Sequence, residues 1–245
     1  MLTFTRGTQP EEVSAWTNSL AKRLFDCTCV LAALPFLLPV LVAVSLAVYL
    51  TSNGPVLFIQ RRVGCYGKTF PILKFRTMEH AAKQKHHAVT TAKNQRFTPV
   101  GPFLRRWKLD ELPQLLNVLA GHMSLVGPRP KLPEHSRTVQ ILNCRPGITG
   151  AATVAFAREE VALARIPHEN LDAFYHDVVL PAKLRLDAEY MADATFYSDF
   201  ALLINTVLRR WDNAFLEELL VPARKVPAKV AVYATGFGYT QVGTE

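Results

Sequence analysis

At 245 residues and 27.4 kDa the chain fits one domain, or one domain with appendages. It is 49% hydrophobic with a mean hydropathy of +0.11, and it carries a formal charge of +8 and a pI near 9.5, a balance suited to anionic head groups, a diphosphate or nucleic acid. Its four cysteines (Cys27, Cys29, Cys65, Cys144) form no C-x-x-C pair, and Cys27 and Cys29 lie in an apolar run, so small apolar filler is the expected role rather than a metal site or disulfide, in agreement with a reducing, cytoplasmic setting.

Residues 1–13 are polar and irregular, as expected of a frayed terminus. Trp16, Leu20, Leu24 and Phe25 then begin a helical pattern beside Lys22 and Arg23, a combination that suits a membrane interface. From Cys27 to Leu50 there is no charged residue. The stretch exceeds the roughly 20 residues a bilayer-crossing helix needs. Pro35 and Pro39 each remove a backbone donor near its middle and favour a bend. Basic residues flank both ends, Lys22 and Arg23 before and Arg61, Arg62 and Lys68 after, whereas a spanning helix biases its cations to one side. A helix that bends and leaves by the face it entered satisfies both observations.

Asn53-Gly54-Pro55 reads as a turn, and Val56–Ile59 and Phe70–Phe75 as two strands of a β-hairpin joined through Arg61, Arg62, Gly64, Gly67 and Lys68. Residues 79–95 are polar; with no acidic or cysteine partner nearby, His80, His86 and His87 read as a solvated loop rather than a metal site. Thr98-Pro99 and Gly101-Pro102 open a short helix with Phe103, Leu104 and Trp107 on one side and Arg105 and Arg106 on the other, fit to lie in an interface plane.

The stretch RRWKLDELPQLLNVLAGHMSLVGPRP (Arg105 to Pro130) carries the densest chemistry. Leu112, Leu115, Leu116 and Leu119 form one apolar helical face, and Pro113, tolerated only in a first turn, places the helix start at about Asp110. Asp110 and Glu111 then sit at the positive end of the helix dipole, which favours their ionised forms. Capping alone would account for such a pair. The surrounding Arg105, Arg106 and Lys108 point instead to phosphoryl transfer, with one carboxylate attacking phosphorus and the other holding a metal ion. Gly121 is a natural helix stop, and GPRP presents Arg129 stiffly between two prolines.

Beyond it, Glu134–Leu142 reads as a polar helix and RPGITG (Arg145 to Gly150) as a tight loop, either a plain turn or one whose amides contact a phosphate or nucleoside. Arg158–Leu171 reads as one helix of mixed charge, and Tyr175–Leu186 carries Asp177 and Lys183, either substrate contacts or a structural ion pair. Phe200, Leu203, Ile204, Val207, Leu208 and Trp211 follow amphipathic spacing, core-packing or membrane-lying, and the tail beyond Pro222 is rich in proline, lysine and glycine.

LDELPQLLNVLAGHMSLVGPRP, with RRVGCYGKTFPILKFRTM (Arg61 to Met78) and RPGITG, resembles the signature of the bacterial sugar transferases, the monotopic polyprenyl-phosphate phosphoglycosyl transferases. The resemblance runs from about Lys22 to Trp211 with the motifs in order, and it is to the small, catalytic-domain-only form. It implies that Asp110 attacks the β-phosphate of a UDP-sugar, that UMP leaves, and that the phospho-sugar passes to undecaprenyl phosphate as the first membrane step of surface glycan synthesis. Glu111 matches the Mg²⁺ carboxylate; Lys74, Arg76, Arg105, Arg129 and Arg145 match substrate-binding positions. Lys108 departs from the small hydroxyl residue common two positions before the nucleophile, Leu34 from the small polar residue before the breaking proline, and Ala151-Ala152 from the usual continuation of RPGITG.

The expected fold is therefore mainly α with a small β-hairpin, as a monotopic membrane protein with a proline-broken re-entrant helix and interfacial amphipathic helices. The expected division is an N-terminal tail (1–21), the re-entrant helix (22–51), a catalytic domain (52–221) and a loosely ordered tail (222–245). The expected location is the cytoplasmic face of a bacterial inner membrane; a homodimer stays open. A non-catalytic lipid binder would leave the acid pair without a role. Nucleic-acid binding would leave the uncharged segment without one, and no nucleic-acid motif is present. A glycosidase is excluded because adjacent carboxylates do not face each other across a sugar ring.

Overall fold

The computed structural model describes residues 13–79, 97–133, 142–164, 166 and 168–209. Most of the histidine-rich segment, most of the helix expected over Glu134–Leu142, and the two chain ends lie outside them.

Helix α1 (Leu20–Thr51) begins where the Ser19 hydroxyl accepts the Lys22 amide at 3.0 Å, a standard N-cap arrangement. It is helical through both Pro35 and Pro39. If straight, it would measure roughly 48 Å at 1.5 Å per residue. Among the described residues it is the one helix long and apolar enough to cross a membrane. Its first turns are seated in the rest of the protein by polar groups. Lys22 pairs with Asp199, the Arg23 guanidinium donates to the Leu119 carbonyl at 2.9 Å, and Asp26 accepts from the Ser124 hydroxyl at 2.7 Å. Its last turns return to the same body: Val44 and Val48 pack with Phe75 and Leu104, and the Ser52 carbonyl and hydroxyl each accept from Arg76 at 2.8 Å. Between these anchors Leu31, Phe36, Leu38, Val42 and Leu46 are exposed, with both prolines.

Strands β1 (Leu57–Val63) and β2 (Thr69–Phe75) pair antiparallel from Leu57↔Phe75 to Val63↔Thr69. The expected hairpin is present, but its first strand is longer. Arg61 and Arg62 belong to β1 because alternation lets them leave the sheet without breaking the ladder. A 3-10 turn, Cys65–Gly67, closes it with Tyr66 (φ 54) and Gly67 (φ 75) left-handed, a conformation glycine adopts freely. One face of the hairpin carries Phe58, Gln60 and Arg62 opposite Lys74, Ile72 and Phe70. Phe70 and Ile72 enter the main core with Val30, Val118, Met123, Val126, Tyr190 and Met191.

A second sheet is absent from the sequence reading. β3 (Ser124–Val126) and β4 (Gly147–Thr149) pair in parallel, so RPGITG is a buried strand rather than a tight loop. Helices α2 (Gly101–Trp107) and α3 (Gln114–Leu119) lie between the two sheets in sequence. The apolar face expected of α3 is rotated: Leu116 is exposed, while Gln114, Asn117 and Val118 are buried. Asn117 acts as a backbone mimic on β2, accepting from the Leu73 amide at 3.0 Å and donating to the Pro71 carbonyl at 2.8 Å.

The single helix expected over Arg158–Leu171 is two, α5 (Glu159–Leu163) and α6 (His168–Phe174), following the short α4 (Ala151–Ala155). Pro167, immediately before α6, has no amide to continue a helical ladder. A π turn, Tyr175–Val179, leads into α7 (Leu180–Asp193): Leu180 reaches back five residues to the Tyr175 carbonyl, and Pro181 has no donor to restore the α register. α8 (Phe196–Val207) starts earlier than the apolar spacing suggested, because Thr195 and Ser198 form a reciprocal capping box. The architecture is mainly helical with a small antiparallel hairpin.

Candidate active site

Helix α2 is seated tightly at its start, where a Cβ on Gly101 would lie 2.2 Å from the Thr77 carbonyl oxygen. It is stopped by Lys108, left-handed at φ 58. A 3-10 turn (Leu109–Glu111) follows, and Pro113 stands as the N-cap of α3. The expected helix start at Asp110 is thereby corrected to Gln114. The reversal at Lys108 and the missing amide of Pro113 leave the two acids in a tight turn, outside the regular helix.

Asp110 and Glu111 are each only 8% exposed, yet they are held differently. Glu111 Oε1 accepts from Lys74 Nζ at 2.9 Å and from Arg129. Burial by itself would raise its pKa, but Arg129, Lys74 and Lys108 overcome that and hold the carboxyl well below its ordinary range. Asp110 has one carboxylate oxygen, Oδ1, buried with no hydrogen-bond partner. Burial first, and the charge of Glu111 second, push its pKa up against the pull of Lys74, Lys108 and Arg105. The expectation that the helix start favours ionisation of both acids is therefore wrong for Asp110.

Arg129 reaches Glu111 from a rigid base. The Gly127 amide donates to the Thr149 carbonyl and the Gly147 amide to the Pro128 carbonyl, both at 2.9 Å, and a Cβ on Gly147 would lie 2.1 Å from the Gly127 nitrogen. The amides of Gly147 and Gly127 are thus spent within the protein. Arg105 stacks on Phe97, 5.5 Å from the ring centroid, within electrostatic reach of Asp110.

Of the five cations expected to hold substrate, Lys74, Arg105 and Arg129 stand around the acid pair. Arg76 is buried against Ser52 at the end of α1, and Arg145 donates from Nε to the Gly121 carbonyl at 3.1 Å, just beyond α3. Lys183 pairs with Glu159, at 2.5 Å, rather than with Asp177, and its ammonium lies 5.2 Å from the Phe156 ring centroid and 5.4 Å from that of Tyr175. The sequence reading missed Arg62. Its Nη2 donates to Gln60 Oε1 at 2.7 Å, and it feels the charges of Arg129 and Glu111. The signal was available: in a hairpin of this register Arg62 shares a face with Lys74.

A hard cation fits this donor set. Both bonds to Glu111 fall on Oε1, leaving Oε2, and the adjacent Asp110 carboxylate has an oxygen without a partner. Among the described residues there is no cluster of three or more potential ligands.

The described residues thus form a mainly helical protein that carries a buried Asp-Glu pair ringed by cations beside one long apolar helix. The profile of the bacterial sugar transferases matches residues 17–212, and the chain belongs to that family. It is 35% identical over 204 residues to UDP-glucose:undecaprenyl-phosphate glucose-1-phosphate transferase of Escherichia coli (strain K12), covering 80% of this chain and 41% of that one. It is 34% identical over 209 residues to the protein of the same name from Caulobacter vibrioides, covering 80% and 72%. With exopolysaccharide production protein PSS of Rhizobium leguminosarum bv. phaseoli the identity is 35% over 205 residues, covering 76% and 93%. The chain thus spans about two-fifths of the length of the Escherichia coli relative and most of the Rhizobium one.

Proposed function

We propose that this protein transfers a sugar-1-phosphate from a UDP-sugar to undecaprenyl phosphate through a covalent phospho-sugar on Asp110. The supporting observation is the asymmetry of the acid pair. Glu111 is fixed and ionised between Lys74 and Arg129, while Asp110 is buried with an oxygen that nothing in the protein satisfies. A desolvated carboxylate of raised basicity is a better nucleophile than one solvated by water.

In the first step an Asp110 oxygen forms a bond to the β-phosphorus, the bond from phosphorus to the bridging oxygen breaks, and its electron pair leaves with UMP. In the second a phosphate oxygen of the lipid attacks the same phosphorus and the Asp110 carboxylate departs. No proton is transferred in either. Arg105, Lys74 and Arg129 neutralise charge on the phosphoryl group. Glu111, with the adjacent Asp110, would hold Mg²⁺, which would supply further neutralisation of the diphosphate.

The acceptor is a membrane lipid, and the reading of α1 as re-entrant from the cytoplasmic face of the inner membrane rests on its two anchors. Lys22, Arg23 and Asp26 at one end, and Val48 and Ser52 at the other, are held by the same folded body. A helix crossing the bilayer would carry one end away from that body. A second apolar surface supports interfacial docking. Phe103 and Trp107 of α2 and Phe200, Ile204 and Val207 of α8 are exposed, and Arg209 ties the two helices by lying 4.8 Å from the Trp107 ring centroid.

The test is to incubate purified protein with UDP-sugars and Mg²⁺ without acceptor and to map the adduct by mass spectrometry. Stoichiometric UMP release with the added mass on Asp110 is expected. Release with the mass on another side chain overturns the reading.

A further inference from the structure

The acid pair has more positive charge around it than its own ion pairs use. Lys74 and Arg129 share one oxygen of Glu111, while Arg62, on the same hairpin face as Lys74, pairs with no carboxylate among the ion pairs of the described residues. Its position is set by backbone. The Val63 amide donates to the Lys131 carbonyl at 2.9 Å, which joins the end of β1 to the segment leaving Arg129. Its side chain leans along the strand toward Lys74, with Nη2 on Gln60, and Gln60 stands opposite Ile72, two residues from Lys74. Nε of Arg62 is buried and has no partner. Burial and the neighbouring Arg129 both disfavour its charge, against the pull of Glu111. A buried guanidinium with an unsatisfied Nε is stabilised when an anion arrives to accept from it.

We infer that Arg62 is a further substrate-contacting residue of this site, binding a phosphate oxygen of the nucleoside-diphosphate donor through its unpartnered Nε. The inference rests on the reading of Asp110 as nucleophile, because that reading puts a diphosphate beside Glu111. Three fixed cations then meet the negative charges of the donor and of the departing nucleoside monophosphate, while the acceptor lipid brings its own single phosphate only after that product has gone.

The experiment compares the full-length wild type with Arg62→Gln and Arg62→Lys, measuring UMP release while donor and acceptor are varied separately, and the thermal protection given by UDP. Arg62→Gln is expected to lower kcat/KM for the donor on the order of 10²-fold, to leave KM for polyprenyl phosphate unchanged, and to abolish protection by UDP. Arg62→Lys, which keeps the charge and loses the fork, recovers part of the donor kcat/KM. Unchanged donor kinetics in both variants overturn the inference. So does an equal loss for donor and acceptor with UDP protection intact, the pattern of a structural arginine. Failure of the Asp110 reading looks different, since it moves the trapped adduct in the wild type itself.

Discussion

Asp110 is costly where it stands, and the proposed function assigns that cost to the nucleophile. A carboxyl whose folded pKa lies above its unfolded value stabilises the fold fully below the unfolded pKa and loses that contribution as pH rises through the folded one. At neutral pH its ionised form therefore weighs against folding. Asp110→Asn should abolish UMP release and yet raise the melting temperature by about 2–4 °C for each kcal/mol relieved; a melt below wild type would show that Asp110 is satisfied in the fold. The same shift places the acid limb of the UMP-release profile above the ordinary aspartate value of 3.8, to be read from initial rates against pH. Glu111 has the opposite sign. Its depressed pKa stabilises the fold above the unfolded value near 4.5 and loses that as pH falls toward the folded one. Glu111→Gln should melt below wild type at neutral pH, and the gap should close on acidification through that range.

At the scale of elements, the two acids were legible as a pair and their surroundings were not. The apolar spacing of Leu112, Leu115 and Leu119 announces a helix, but the hydroxyl-free reversal at Lys108 and the N-cap role of Pro113 depend on how α2 arrives. Asn117 reads as a neutral helix residue until β2 lies beside it. Replacing it by Leu should cost about 2–4 kcal/mol in unfolding experiments, because two buried backbone groups of β2 lose their partners. The β3–β4 pair was hidden because each strand is three residues long and parallel strands have no hairpin turn to betray them. Gly147→Ala tests it. The new Cβ meets the Gly127 backbone, which cannot yield as a side chain would, so Arg129 is displaced and UMP release should fall by roughly 10²-fold or more, a loss on the scale of one misplaced transition-state contact.

Across the whole molecule, buried charge ties the start of the apolar helix to α7 and α8. Asp199, fully buried, accepts from Lys22, from Trp16 Nε1 at 2.8 Å and from the Tyr190 hydroxyl at 2.7 Å. Lys22→Met should cost about 3–5 kcal/mol, since it leaves an uncompensated carboxylate, and Lys22→Met with Asp199→Asn should recover part of that in a double-mutant cycle. The course of α1 is tested by cysteine labelling with an impermeant maleimide, using Asn18→Cys and Asn53→Cys in a background without the native thiols. Equal labelling from the cytoplasmic side is expected, and labelling from opposite sides would make α1 a spanning helix.

By itself the sequence determined the local features: the long uncharged stretch with its two prolines, the alternating strands of the hairpin, and the Asp-Glu pair among arginines whose motifs mark the family. These are encoded by periodicity and by neighbours in the chain. Only the tertiary structure decided which cations face the pair. Arg76 and Arg145 are as basic in sequence as Arg129, but they are placed elsewhere, Arg76 against Ser52 at the end of α1 and Arg145 on the Gly121 carbonyl beyond α3, and Arg62 is brought in by strand register. A side chain's charge belongs to its residue; its partner, its burial and hence its pKa are set by chain segments far away in sequence, and those are fixed only when the core closes.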